Sequence, residues 1–246
     1  MTISDNAVRF AVAGWAAWAP GLADAAAWRR WARGEADIGG ADEPRAGAVP
    51  PLLRRRASPL HRMALEVACA CGAGRGQPAV FCSRHGDLDG MLALLHQLAA
   101  GEPLSPASFG MSAQNAPAGL LSIARADRAP STTIAGGEDG VADATIEACG
   151  LLADDAPEVV LIVHDVPLPT LYQPYADEPE WPYAWAWRLH RSGNDLLRLS
   201  WEPAAGQTSE RPGEPMGLRV LRFFLAGAPE LVALRGRRVW RWSRDG

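Results

Sequence analysis

Residues 105–124 read SPASFGMSAQNAPAGLLSIA, a run of small side chains opened by Ser-Pro. The pattern predicts a small-residue helical region over about 105–125. A short strand, Ser131–Ala135, follows, then the turn GGEDG at 136–140 and a helix over 138–153. EVVLIVHDV (158–166) is an almost unbroken apolar run, as a strand buried on both faces requires. Upstream, PAVFCS (78–83) predicts a strand. Asp87 caps a helix of 88–100, with Leu92, Leu95 and Leu98 expected inward. Ser58-Pro59 opens another helix to 73, and 23–34 forms a third. Residues 7–13 (AVRFAVA) predict a first strand. The order β, α, α, β, α, α, β, α, β is that of an α/β fold with a mixed, mostly buried sheet.

Beyond residue 167 the pattern changes. A Pro- and Tyr-rich loop (168–183) leads into WAWRLH–RSGN–DLLRLSW, two strands expected around a tight turn. PAAGQTSERPGEP (203–215) predicts an exposed linker, 216–227 an amphipathic helix and LVALRGRRVWRW a last strand. Two parts are expected: residues 1–190, and a 191–246 extension packing on the same domain.

Composition removes several function classes. The 246 residues carry 24 basic and 28 acidic side chains, net −4, which argues against a nucleic-acid binder. Every basic residue is Arg; without Lys there is no Schiff base, P-loop lysine or Ser-Lys dyad. Cys69, Cys71, Cys82 and Cys149 lack zinc-knuckle spacing, and the five His are scattered, so no metal is expected. No apolar stretch reaches membrane-spanning length and the N-terminus has no signal-peptide pattern, so the cytoplasm is expected.

The block from Ser105 to Asp165 resembles the centre of β-ketoacyl synthases of the thiolase-like superfamily. The Ser-Pro, Asn115, Ala118-Gly119 and Ser122-Ile123 recur in synthase order. FCSRHGDLDGMLALLHQLAAGEPLSPASF (81–109) is similar to the shortened β-ketoacyl synthase N-terminal-like family, found with aryl polyene and related polyketide pathways. The resemblance spans about residues 7–190. It implies a half-synthase mixed sheet flanked by helices, followed by a C-terminal hairpin and helix.

An active synthase needs a Cys at a strand-to-helix elbow, where backbone N–H groups lower its pKa. Carrying the pattern forward from Asn115 puts Ile134, which has no nucleophilic atom, at that position, with Ala135, Gly136 and Gly137 after it. The histidines supplied by a synthase's second half have no counterpart in residues 191–246. The resemblance therefore implies a non-catalytic partner of a full-length ketosynthase, a chain-length factor, forming a heterodimer. Strand residues Thr132, Thr133, Ile134 and Ala135 would pair across the two-fold axis. Ser108, Phe109, Met111, Ser112, Asn115 and Ala116 would face the partner's acyl tunnel. No cofactor is implied; the substrate would ride the phosphopantetheine arm of an acyl carrier protein bound to the partner. Arg54, Arg55 and Arg56 offer that acidic carrier a transient docking patch. Two other readings stand beside this one: a carrier-binding module using the Arg patch, and an acyltransferase or hydrolase using Cys82 or Cys149 with His85 or His164. Glu138 and Asp139 are expected to cap the elbow helix.

Overall fold

The computed structural model describes residues 6–206 and 213–245. Part of the predicted linker, residues 207–212, lies outside the described residues. Eight strands form one sheet: β1 (Ala7–Trp18), β2 (Ala79–Cys82), β3 (Ser131–Ile134), β4 (Val159–Asp165), β5 (Tyr183–His190), β6 (Leu196–Pro203), β7 (Glu230–Arg235) and β8 (Arg238–Asp245). Their order is β3-β2-β4-β5-β1-β6-β8-β7. β3, β2 and β4 are parallel and every other pairing is antiparallel.

Helices cover both faces. α1 (Ala25–Ala32), α7 (Gly140–Ala153) and α8 (Met216–Ala226) lie on one; α3 (Pro59–Ala70) and α6 (Ala116–Arg125) lie on the other. The β4 run explains itself at once. Val159, Leu161 and Val163 enter the first core while Val160 and Ile162 enter the second, so positions 159–163 face apolar surroundings on both sides. β5 divides its sizes the same way. Trp185 and Trp187 fill the α8 side, and Ala184 and Ala186 face α3, whose Ala64 and Ala68 join the same second core. Trp185 donates its indole N–H to the Gly217 carbonyl at 2.9 Å, which satisfies its polar atom.

Helix starts follow the predicted caps. Ser58 accepts from the His61 N–H, Asp87 from Gly90 and Ser105 from Ser108. The predicted helical region at 105–125 is two helices, α5 (Pro106–Met111) and α6. The basic stretch contains one helical turn, α2 (Pro51–Arg54).

Three expectations are corrected. β5 and β6 are not paired with each other: β1 lies between them, bonded to both. The connection arches over β1, and Gly193 permits it, since a Cβ there would lie 2.6 Å from the Ala11 Cβ. The last predicted strand is a hairpin, β7–β8, closed by Gly236 in the left-handed region (φ 53). On α4 (Leu88–Ala99) the buried residue is Leu94; Leu95 and Leu98 face outward. α4 packs on α5 rather than on the sheet, so one leucine, Leu94, is enough to line its buried side while Leu95 and Leu98 face out.

Candidate functional site

The parallel strands end together at Ile134, Cys82 and Asp165. Beyond β3 the chain turns sharply into α7. A Cβ on Gly136 would lie 2.4 Å from the Gly140 Cα, and Gly137 has φ 53, so the turn requires both glycines. The turn carries Glu138 and Asp139 in a short 3-10 segment, Gly137–Asp139. Ile134 is not in it. Ile134 ends β3, its carbonyl accepts the Ser83 N–H at 3.3 Å, and its side chain packs on the first core. The glycine turn lies at GGEDG, as predicted, just after the strand that Ile134 ends.

Neither acidic residue caps α7 with its side chain, contrary to expectation. The Glu138 carboxylate accepts the Gly236 N–H at 3.3 Å and lies 4.0 Å from Arg235. Asp139 accepts the Trp240 indole N–H at 2.7 Å. Both are turned toward the β7–β8 hairpin, which the sequence placed only as a tail.

A charged cluster fills the strand ends. Glu178, 2% exposed, pairs with Arg84 and with Arg235, the latter at 2.8 Å, and accepts the Met216 N–H at 3.2 Å. Arg84 also pairs with Asp177. Asp165 accepts from the Ser83 hydroxyl at 3.0 Å, the Arg84 N–H at 2.8 Å and the Tyr183 hydroxyl at 3.2 Å. Burial pushes the Asp165 carboxyl up to about 7. None of these residues was singled out from sequence. The available signal was a pair of acids, Asp177-Glu178, inside a Pro- and aromatic-rich loop.

Cys82 and Cys149 are buried, and burial pushes both thiols up, Cys149 to about 12. Cys149 packs in the α7 core, whereas His164 stands edge-on to Phe81 in the opposite layer, its ring centroid 6.1 Å away. Burial and the neighbouring His61 hold His164 down at about 3. His85 is exposed.

The predicted tunnel residues gather at one surface. Ser108 and Phe109 are exposed on α5, Phe109 by 62%. Met111 packs on the second core and Ser112, buried, donates its hydroxyl to the Phe109 carbonyl at 2.9 Å. Asn115 is exposed at the start of α6 and makes no capping bond; Ala116 is buried. A groove of about 440 Å³ between α4 and α5 is lined by Ser108, Met111 and Ser112, and also by Arg56. β3 is an edge strand: Thr132, Thr133 and Ile134 are half-buried, Ala135 is exposed, and Thr132 donates to Glu147 at 3.1 Å. Arg54 and Arg55 join Arg45 and Arg62 around a separate cleft of about 400 Å³. Among the described residues no His, Cys, Asp and Glu cluster suits a metal, and no helix is long and apolar enough to cross a membrane.

Residues 28–243 match the family described as beta-ketoacyl synthase, N-terminal domain. The chain belongs to this family. No curated protein matches this synthase-domain chain. Among solved structures it is similar to a chain in the complex of a ketosynthase (ApeO) with its chain length factor (ApeC) from Xenorhabdus doucetiae. That similarity has TM-score 0.82 and 25% identity, and covers 96% of this chain and 100% of that one. A chain of the ishigamide ketosynthase/chain length factor matches with TM-score 0.74 at 12% identity, covering 96% and 99%. A bacillaene ketosynthase of Bacillus amyloliquefaciens shares the fold with TM-score 0.58 at 12% identity, and there only 46% of that chain is covered. The synthase-domain chain is thus about half as long as that ketosynthase.

Proposed function

We propose that this chain is a non-catalytic synthase-like subunit, a chain length factor, that pairs with a full-length ketosynthase and shapes its acyl tunnel during aryl polyene or polyketide elongation. The observation that carries this reading is the elbow. The strand-to-helix turn offers no thiol or hydroxyl, and its two carboxylates are engaged by Arg235, Gly236 and Trp240. We assign Glu138, rather than Ile134, to the elbow position. The end-to-end length match to chains from ketosynthase–chain length factor complexes supports the same reading.

The partner face is the β3 edge together with α5 and α6. An edge strand leaves one row of backbone groups free for a partner. Phe109 and Ile123 (65% exposed) supply apolar contacts beside it. Ser108, Met111, Ser112, Asn115 and Ala116 contribute to the tunnel wall. An apolar chain gains roughly 25 cal/mol per Å² of area buried there, and a bulky wall residue excludes longer products by steric clash. The acyl group stays on the phosphopantetheine arm of a carrier protein served by the ketosynthase, in the cytoplasm. Arg54, Arg55 and Arg56 meet the acidic carrier. Reversing these three charges weakens carrier binding and its salt dependence while leaving ketosynthase pairing intact. The pairing itself is tested by co-expression with a ketosynthase and gel filtration. Co-elution with altered product length supports the proposal; separate elution with unchanged product defeats it.

A further inference from the structure

Ligands of open α/β sheets enter outside the carboxyl ends of the parallel strands. Here those ends are Ile134, Cys82 and Asp165, and the chain itself fills the space beyond them. Glu178, from the loop 166–182, is the centre of the filling. It binds Arg84 at the end of β2 and Arg235 at the end of β7, and it accepts the N–H of Met216 at the start of α8. One carboxylate therefore joins a strand end, the hairpin and a helix start. Arg235 continues to Glu138 of the elbow at 4.0 Å, and Gly236 and Trp240 hold Glu138 and Asp139. What remains beside Arg84, Asp165, Glu178 and Tyr183 is a cavity of about 20 Å³. That holds roughly one water. The groove on the α5 side is far larger, about 440 Å³.

We propose that the loop 166–182 and the β7–β8 turn form an internal stopper keyed by Glu178, which closes the strand-end crevice, so that an acyl chain reaches this subunit only across its α5–α6 face. The identity of the acyl chain rests on the function proposed above; the stopper is a property of the chain alone. Buried ion pairs rarely stabilise more than apolar packing would, but losing one partner strands a charge and opens the cluster. The loop and hairpin thus leave the strand ends no room for a carrier arm.

Two native thiols report on the stopper. Cys82 ends β2 two residues before Arg84, with its sulfur 3.3 Å from where a Gly140 Cβ would stand at the start of α7. Cys149 is equally buried but lies within α7 and serves as the control for global unfolding. The full chain is treated with iodoacetamide and each cysteine peptide is followed by mass spectrometry. Glu178→Gln and, separately, Arg235→Gln are expected to speed Cys82 alkylation about tenfold or more, with Cys149 unchanged. Arg235→Gln leaves Glu178 paired with Arg84 and is therefore the milder variant, and circular dichroism checks the fold of both. An unchanged Cys82 rate in the folded variants, or Cys82 and Cys149 rising together, overturns the stopper. Neither readout involves a ketosynthase, so a failure to pair would defeat the proposed function and leave this result standing.

Discussion

Asp165 ends β4 with its carboxylate bonded to Ser83, Arg84 and Tyr183, and burial raises it from 3.8 to about 7. The folded state therefore holds this proton more tightly than the unfolded chain. The stability this confers is complete below about pH 4 and is lost as pH climbs to about 7. His164, lowered from 6.5 to about 3, acts in the opposite sense: its contribution is present above 6.5 and lost on acidification. The two slopes oppose each other in the wild type, so the informative quantity is a difference. Asp165→Asn is expected to gain thermal stability relative to wild type as pH rises from about 4 to about 7. Melting followed by circular dichroism at several pH values checks this; a flat difference would show that Asp165 does not titrate in that window. The sequence gives Asp165 as the end of an apolar strand and nothing more. Its raised pKa comes from burial, with the negative charge of Glu178 in the distant loop adding to it, and no local pattern connects that loop to Asp165. The elbow was half legible for the same reason. Small residues and Gly136-Gly137 mark a turn, but the engagement of Glu138 by Arg235 joins residues far apart in the chain.

Elements were legible wherever one face decides their composition. α3, α7 and β4 follow from their apolar patterns, and α3 also from its Ser58 cap, because burial fixes which positions are apolar. Pairing partners were not legible. β5 and β6 alternate like hairpin strands, yet the twelve-residue β1 separates them, because alternation records a buried face and not the neighbour in the sheet. α4 misleads by having apolar residues all round. Leu94→Ala is expected to destabilise by about 2 kcal/mol or more, whereas Leu98→Gln changes stability by less than about 0.5 kcal/mol. Urea unfolding distinguishes them, and equal costs would place Leu98 in a core. The contact of α8 with β5 is tighter still. A Cβ on Gly217 would lie 2.3 Å from the Tyr183 hydroxyl, so Gly217→Ala must displace the helix or the Tyr183 ring. The expected cost is about 1–3 kcal/mol. A variant as stable as wild type would mean that the helix and ring separate freely.

At the scale of the whole molecule, the sheet has two edge strands, β7 of the C-terminal hairpin and β3 of the parallel part. Phe109 on α5 and Ile123 on α6, the helix packed against β3, are large apolar side chains left exposed. Phe109→Glu is expected to leave the melting temperature unchanged and to weaken ketosynthase pairing by about tenfold or more. Unaltered pairing would move the partner face elsewhere. The half-synthase architecture was readable from the order of motifs in residues 81–165, since that order encodes the parallel strands and the helices between them. How the remaining chain completes the sheet was not, since β6, β7 and β8 are placed by pairing with β1 and one another. The most direct measurement supplies acylated carrier protein and extender units to the purified chain, alone and mixed with a ketosynthase, and follows acyl adducts and products by mass spectrometry. The chain alone is expected to take up no covalent acyl group, while the one-to-one complex elongates to a narrow range of lengths. A covalent acyl adduct on the lone chain that is then extended would contradict the account.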